Sequence, residues 1–282
     1  QEVFAFCQDN DTLYLYGFHP REQEGFFIDH QFITPLARVD GKLEYVIPDI
    51  SLADLDDDGF KDLVFLVAAG FSIAPRKIFC YNIRSGTLTS SPASASVIGK
   101  LTIVDLDADG HPEIFGQNGS GGNVPDSLGL PFTDYSAWLM VFNHTLDYAF
   151  PPVEFPGFHS QVSTLPFYSG DNAGILALYN HTGSRENIPE LRVHDHLGKL
   201  LYQRTFPRSP KYQALLVQDG KDAWMAIDRG RLYRIADDLQ FADSVDLGTT
   251  INMGYVQFDM DGDGARETIF TKKGANGGVI LR

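Results

Sequence analysis

Three acidic segments of the chain have residue types and a spacing suited to metal binding. They are ADLDDDGFKDLVF from Ala53, VDLDADGHPEIFG from Val104 and FDMDGDGARETIF from Phe258, and they align without gaps. Each places carboxylates at positions one, three, five and nine of an Asp-x-Asp-x-Asp-Gly-x-x-Asp/Glu pattern. Alternate residues of a tight loop can direct their side chains at one centre, and calcium takes six to eight oxygen ligands. The segments therefore predict about three calcium sites.

The predicted ligands in each segment are the four carboxylates and the backbone carbonyl at position seven, while the glycine at position six allows a sharp turn. In chain order these residues are Asp54, Asp56, Asp58, Phe60 and Asp62; Asp105, Asp107, Asp109, His111 and Glu113; and Asp259, Asp261, Asp263, Ala265 and Glu267. An EF-hand is excluded, because its glutamate at position twelve is replaced by Phe65, Gly116 and Phe270. Magnesium fits less well because it demands a stricter octahedron. The remaining alternative is acidic hairpin loops without an ion, in which the clustered charges would repel one another.

The segments also indicate which elements position them, since each lies between an apolar stretch and a β-rich stretch. The pattern is a strand, an acidic loop, a second strand, a variable loop, a third strand, a polar turn and a fourth strand. Such units are predicted at residues 2–48, 49–97, 98–156, 160–207, 212–247 and 252–282, the last being incomplete. The sequence thus predicts one all-β domain over residues 1–282, a β-propeller of four-stranded antiparallel blades. The last unit is incomplete, so we expect a chain truncated within it. Because an open ring would expose sheet edges, we expect the complete ring to close with six or seven blades, seven being favoured.

The acidic spacing and the strand that follows it resemble the FG-GAP or VCBS repeats of integrin α-subunit propellers and their bacterial relatives. That resemblance implies a propeller fold with bound calcium, in a family that includes adhesion proteins, lyase-associated propellers and sensor ectodomains. The first, fourth and fifth units depart from it, because they lack the acidic loop. The stretches PRKIFCYN, YSAWLMVFN and FPPVEFPGF further resemble the extracellular propellers of bacterial membrane-bound sensor histidine kinases. This second resemblance implies an extracellular or periplasmic domain, tethered to the membrane in a full-length protein with a cytoplasmic kinase.

Loops between second and third strands are expected on the face opposite the acidic loops, where propellers usually bind partners. They cover residues 69–76, 117–135 and 179–189. Aromatic side chains there could stack on a sugar or a peptide, and arginines could pair with an anionic group. The candidate ligand-binding residues are Arg76, Phe132, Tyr135, Trp138 and Arg185. The alternative is that Trp138 belongs to the blade core and that the arginines are solvated.

Composition excludes several classes of partner. A formal net charge of −15 argues against nucleic acid and against adsorption to anionic lipid. The longest apolar run, residues 63–71, is too short to cross a bilayer, so no direct membrane insertion is expected from this chain. Cys7 and Cys80 are too few for a disulfide scaffold, although one bond between them stays open.

No sequence motif predicts catalysis, since the chain has no GxSxG elbow, HExxH, Walker loop or dinucleotide fingerprint. His194 and His196 come nearest to a transition-metal pair, but they fall in an expected polar turn. The leading interpretation is a non-catalytic sensor-input domain, stiffened by calcium, that binds a small molecule, a glycan or a protein. The alternatives are a carbohydrate-active lyase or hydrolase propeller and an adhesion or protein-interaction module.

Overall fold

The computed structural model describes residues 3–18, 27–35, 38–39, 42–43, 45–69, 76–169, 172–181, 188–206, 215–226, 230–264, 266–272, 274 and 278–281. These residues form antiparallel strands and a short 3-10 helix at Asp126–Leu128, and they include no α-helix. In chain order the strands are β1 (Val3–Asp9), β2 (Thr12–Phe18), β3 (Phe27–Pro35), β4 (Arg38–Val39), β5 (Lys42–Leu43), β6 (Tyr45–Val46), β7 (Ile50–Ala53), β8 (Asp62–Ala69), β9 (Arg76–Asn82), β10 (Thr87–Ser90), β11 (Thr102–Val104), β12 (Glu113–Phe115), β13 (Asn118–Gly119), β14 (Ala137–Leu139), β15 (Val141–Phe142), β16 (Val153–Phe155), β17 (Ser160–Ser169), β18 (Asn172–His181), β19 (Glu190–His194), β20 (Leu200–Thr205), β21 (Leu215–Asp219), β22 (Asp222–Ala226), β23 (Arg231–Ile235), β24 (Phe241–Asp246), β25 (Ile251–Phe258), β26 (Glu267–Lys272) and β27 (Gly278–Leu281). The prediction of an all-β, antiparallel fold is confirmed.

Six sheets follow one another along the chain. In strand order they are β1-β2-β3; β10-β9-β8 with both β7 and β6 on β8; β11-β12-β15; β13-β17-β18-β19-β20; β21-β22-β23-β24; and β25-β26-β27. The second, fourth and fifth sheets each contain four consecutive strands, whereas the first, third and sixth contain three within the described part of the chain. The pairs β4–β5 and β14–β16 form separate two-stranded sheets.

Two short strands join a sheet outside their predicted unit. β6 belongs to the expected first unit but pairs with β8, and β13 belongs to the expected third unit but pairs with β17. Each is two residues long, so neither carries an alternating pattern that the sequence analysis could detect. Each strand therefore extends the sheet of the following unit through backbone hydrogen bonds.

Alternate residues of β8 pack in opposite directions. Leu63, Phe65 and Val67 lie in an apolar cluster with Leu13 and Leu15 of the first sheet. Val64 and Leu66 lie in a second cluster, with side chains of the third sheet. A strand buried on both faces reads as a continuous apolar run, which explains the sequence of this segment.

The same arrangement recurs between later sheets. One cluster joins the third and fourth sheets, one joins the fourth and fifth, and one joins the fifth and sixth. Each apolar cluster thus lies between two sheets that are consecutive in the chain. Among the described residues, no helix has the length and hydropathy needed to span a bilayer.

The cysteine pair left open by the sequence does not form, because Cys7 and Cys80 are both free thiols. The reason is the packing of the second sheet, since Cys80 lies in its cluster with the third sheet. The first sheet, which carries the exposed Cys7, packs against the other face. Burial, with nearby Asp62 and Asp56 adding to it, raises the pKa of the Cys80 thiol to about 12.

Candidate functional site

Each acidic segment forms a loop between two paired strands. The loops join β7 to β8, β11 to β12 and β25 to β26. The residue before position one pairs with the residue at position nine in every case: Ala53 with Asp62, Val104 with Glu113, and Phe258 with Glu267. The ladder therefore brings both ends of each loop together and turns the carboxylates between them towards one region.

Two left-handed residues make each loop turn sharply. Position six is the expected glycine, and position four also has a positive φ, which the sequence did not indicate. The φ angles are 56° and 83° at Asp57 and Gly59, 60° and 92° at Ala108 and Gly110, and 79° and 90° at Gly262 and Gly264. The chain thus adopts the same turn with three different residues at position four.

The aspartate at position one holds the turn from inside. Its two oxygens accept hydrogen bonds from backbone N–H groups later in the loop. In the first loop Asp54 accepts from Asp58 at 3.2 Å and from Gly59 at 2.9 Å. The second loop repeats both bonds, with Asp105 accepting from Asp109 at 3.2 Å and from Gly110 at 3.0 Å. In the third, Asp259 accepts from Gly262 at 2.6 Å and from Gly264 at 3.0 Å.

Each loop gathers three carboxylates whose oxygens lie within 4.8 Å of one another. The three groups are Asp54, Asp56 and Asp58; Asp105, Asp107 and Glu113; and Asp259, Asp261 and Asp263. Oxygens bound to one calcium, each about 2.3–2.6 Å from it, are separated by no more than about 5 Å, so the donor sets fit that ion. Three carboxylates this close repel one another unless a cation lies between them. The residues present therefore fit calcium both in donor type and in spacing.

The carboxylate at position nine is buried in all three loops. Asp62, Glu113 and Glu267 are 3%, 8% and 3% exposed, and each accepts the backbone N–H at position two. Those donors are Leu55 at 3.2 Å, Leu106 at 2.9 Å and Met260 at 2.8 Å. Burial raises the pKa of Asp62 and of Glu113, and the neighbouring loop aspartates raise both further. A bound cation would offset this cost and favour the ionised forms.

The other predicted ligands are Asp109 at position five of the second loop and the backbone carbonyls at position seven. Asp109 is outside the second donor group, and its Oδ1 accepts the His111 N–H at 2.7 Å. In the first loop the Phe60 N–H likewise donates to Asp58, at 2.8 Å. These bonds fix the backbone at position seven, while metal binding by its carbonyl stays a prediction. Ala265 lies outside the described residues.

Neighbouring side chains contact the aspartates at positions three and five. Asn82 donates to Asp56 at 2.9 Å, and Arg84 lies 3.5 Å from Asp58. His196 Nε2, from the turn after β19, lies 3.6 Å from Asp107. His194, by contrast, is buried, and its Nδ1 lies 3.2 Å from the Gly198 carbonyl. The two histidines thus have separate surroundings rather than a shared metal site.

The third loop borders a cavity of about 610 Å³. Asp261, Asp263 and Glu267 line it on one side, and Asp219 and Gly220 of the β21–β22 turn line it on the other. The three grouped aspartates of this loop are all exposed, whereas each of the other two groups includes residues that are partly or fully buried.

The predicted ligand-binding residues have different environments. Arg76 is buried, forms an ion pair with Asp134 at 3.2 Å and donates to the Ala95 carbonyl at 2.8 Å. Phe132 packs edge-on against Trp138 with ring centroids 5.2 Å apart. Trp138 is partly buried against the cluster of the second and third sheets, and its indole N–H donates to the Thr133 carbonyl at 2.8 Å. Arg76, Phe132 and Trp138 thus anchor the 117–135 insert from within.

Tyr135 alone among the four described candidates has an exposed side chain, at 49%. Its ring lies 6.2 Å from that of Phe158, which is 51% exposed and was not singled out from the sequence. Phe158 stands in the stretch FPPVEFPGF, where nothing distinguishes it from core phenylalanines. Arg185 lies outside the described residues.

Comparisons with known proteins leave the family open. No protein-family model matches the sequence, and no curated protein matches it. Among solved structures, BBS1N in complex with ARL6DN superimposes with a TM-score of 0.48 at 10% identity, covering 95% of this chain and 74% of that one. The Vibrio cholerae biofilm matrix protein Bap1 gives 0.29 at 11% identity, covering 96% and 64%. BamB from Moraxella catarrhalis gives 0.26 at 9% identity, covering 99% and 97%. At these values the similarities establish neither the family nor the function, and the FG-GAP or VCBS resemblance stays a prediction from the acidic segments.

Proposed function

We propose that this chain is a β-propeller whose three acidic loops each bind one calcium ion, and that it serves as a non-catalytic ligand-binding domain outside the cytoplasm. In this proposal the calcium ions stiffen the sheets, and a ligand binds at the opposite ends of the strands. The domain supplies the sensor input of a membrane signalling protein, as the sensor-kinase resemblance implies.

The stacking of the sheets supports the propeller. The second to fifth sheets each pack against the sheets before and after them, and the strands β8 and β18 divide alternate residues between the two neighbours. Three sheets contain four consecutive strands in sequence order, which is the strand order of a propeller blade. In a propeller, sheets stacked one after another cover each other's faces and leave only short strand edges exposed.

The observation that carries the calcium proposal is the construction that three loops in three different sheets have in common. All three share the pair of left-handed residues, the position-one aspartate that accepts two N–H groups and the buried carboxylate at position nine. A buried carboxylate beside two or three others lowers stability in the absence of a cation. Such a cost, repeated three times, is explained when an ion occupies each loop.

The buried titratable groups outside the loops support a non-catalytic role. Arg76 is paired with Asp134, and the His194 ring contacts the Gly198 carbonyl. The raised pKa of Cys80 keeps that thiol protonated and unreactive. These groups maintain the packing of sheets and loops.

The experiment is calcium-dependent unfolding of the purified protein, with metal analysis. At free calcium a hundred times the dissociation constant, each filled loop adds about 2.7 kcal/mol to the free energy of unfolding. We expect about three ions per chain, a higher melting temperature in calcium than in chelator, and a smaller rise with magnesium.

Single substitutions assign the ions to the loops. Asp56→Asn, Asp107→Asn and Asp261→Asn should each remove about one ion and about a third of the calcium-induced shift. Asp126→Asn is the matched control, because Asp126 is an exposed aspartate of the short 3-10 helix. If the wild type binds no calcium and melts at the same temperature with chelator, the proposal fails.

A further inference from the structure

An exposed pair of aromatic rings lies at the ends of the strands opposite the second acidic loop. Tyr135 and Phe158 are about half exposed, their centroids are 6.2 Å apart, and their planes are inclined by 37°. Two adjoining exposed rings offer an apolar face on which a ligand can stack. Together the rings form a shallow platform facing solvent.

The Phe158 side of the platform is held rigidly. Gly157 and His159, on either side of it, have φ angles of 111° and 63°, and the Ser160 N–H closes the turn on the Gly157 carbonyl at 3.2 Å. The ring lies against Gly122, where a Cβ would overlap it. The glycine and the two left-handed residues thus fix the direction of the phenylalanine.

The Tyr135 side is held by its neighbour in sequence. Asp134 is 1% exposed, pairs with Arg76 and accepts the backbone N–H groups of Asn123 at 2.9 Å and Val124 at 3.1 Å. Because the insert is pinned immediately before Tyr135, the tyrosine is presented from a fixed backbone. Preorganised rings lose little conformational entropy when a ligand stacks on them.

A polar cleft of about 270 Å³ is formed by chain segments next to those that carry the platform. Gln117, Ser120 and Gln161 contribute polar side chains to it, and the described residues that line it include no ionisable group. Two of its lining residues are close to the platform in the chain: Ser160 follows Phe158 by two residues, and Ser120 precedes Gly122, which lies against the Phe158 ring, by two. The side-chain amides of Gln117 and Gln161 have no hydrogen-bond partner among the described residues.

We infer that this surface binds a neutral saccharide, whose apolar ring face stacks on Tyr135 and Phe158 while its hydroxyl groups bond to Gln117 and Gln161. A sugar presents one face of C–H groups and a rim of hydroxyls, which matches aromatic rings beside free amides. The uncharged lining of the cleft and the net charge of −15 disfavour anionic sugars, although the His159 ring lies 4.1 Å from that of Phe158. The inference rests on the proposed function, because it names the ligand class of that binding surface.

The experiment is titration calorimetry of the whole chain, in calcium, with neutral hexaoses built from glucose, mannose, galactose or xylose. Oligogalacturonate and hyaluronan serve as acidic comparisons. Tyr135→Ala and Phe158→Ala should each weaken binding by about tenfold, and Gln161→Ala should weaken it less. Tyr135→Phe, which keeps the ring, should bind like wild type.

Tyr202→Ala is the matched control, because Tyr202 on β20 is 45% exposed and lies outside the platform and the cleft. Binding of one neutral oligosaccharide that both ring variants weaken and the control leaves unchanged is the expected result. The inference is overturned if the folded, calcium-loaded protein binds none of the neutral panel, binds the acidic sugars equally well, or keeps full affinity in both ring variants. Calcium stoichiometry measured on the same samples shows separately whether the calcium proposal has failed.

Discussion

The backbone at position four of the acidic loops has a conformation that only glycine adopts without cost. Ala108 and Gly262 occupy equivalent places with φ angles of 60° and 79°. A left-handed non-glycine residue costs about 1–2 kcal/mol, partly offset because glycine loses more entropy on folding. We therefore predict that Ala108→Gly raises, and Gly262→Ala lowers, the free energy of unfolding by about 1 kcal/mol each, measured by urea unfolding in excess calcium.

Gly99→Ala is the control for these glycine changes. Gly99 is not left-handed, and an added Cβ would meet its nearest neighbour at 3.6 Å, an ordinary contact. Its substitution should therefore leave stability within about 1 kcal/mol of wild type. Lowered stability in Ala108→Gly would contradict the conformation assigned to position four.

For single residues, the sequence predicted which carboxylates lie in the acidic loops but not which three of them group together. The spacing identified the carboxylates, and the structure groups three in each loop. It could not show that Glu113 joins Asp105 and Asp107 while Asp109 instead caps the turn, because that depends on side-chain length and rotamer. The sequence also did not indicate the left-handed backbone at position four. Only the third loop has a glycine there, whereas the first two have Asp57 and Ala108.

A buried ion pair is one of the contacts that hold the 117–135 insert. Arg76, at the start of β9, is the partner that reaches Asp134 from outside the insert. Removing one member of a buried pair leaves the other charge uncompensated and costs about 3–5 kcal/mol. We predict that Arg76→Leu lowers the free energy of unfolding by about 3 kcal/mol and speeds amide exchange in residues 117–135, measured by mass spectrometry.

An exposed ion pair provides the comparison for Arg76. Arg234 lies 3.7 Å from Asp222, with both side chains more than a third exposed. Arg234→Ala should change stability by less than about 1 kcal/mol, because solvent screens such a pair. Exchange in the insert that stays at the wild-type rate in Arg76→Leu would show that the pair does not order it.

The hairpin of β19 and β20 contains a buried histidine that makes stability depend on pH. His194 is 3% exposed; burial lowers its pKa, and the nearby charge of Arg192 lowers it further. The unfolded chain, with an ordinary pKa of about 6.5, then binds a proton more readily than the folded protein. Stability is therefore lost as the pH falls below about 6.5, by at most about 1.4 kcal/mol per pH unit from this group.

We predict that His194→Gln flattens the fall in unfolding free energy between pH 7.5 and pH 5, measured by urea titration. The same substitution at the exposed His159 is the matched control. Subtracting variant from wild type removes the contribution of the carboxylates, which both proteins share. Equal slopes in wild type and His194→Gln would refute a neutral, buried His194.

Among the elements, long strands were predictable and short ones were not. The apolar run over residues 63–71 identified most of β8, which spans 8 residues. The two-residue strands β6 and β13 cross between predicted units because of backbone pairing, which leaves no side-chain pattern. The same limit hid the platform, since Tyr135 and Phe158 meet only when the insert folds back on the fourth sheet.

On the scale of the whole molecule, the apolar clusters of the described residues each connect two consecutive sheets. Stability in such a stack is approximately a sum of sheet terms and nearest-neighbour terms. A change in one cluster should therefore loosen the two sheets that share it more than the distant ones. The strand β18 offers a direct test, because its neighbouring residues Ile175 and Leu176 are both fully buried and belong to different clusters.

We predict that Ile175→Ala and Leu176→Ala each lower the free energy of unfolding by about 2–5 kcal/mol through loss of packing, yet loosen different parts of the protein. Ile175 packs with the third sheet, so its variant should speed amide exchange in β12 and β15. Leu176 packs with the fifth sheet, so its variant should speed exchange in β21 to β23 instead. Each variant is the control for the other, with exchange followed by mass spectrometry well below the unfolding transition. Faster exchange in the same peptides for both variants would mean that the sheets unfold as one unit, and the nearest-neighbour description would then be wrong.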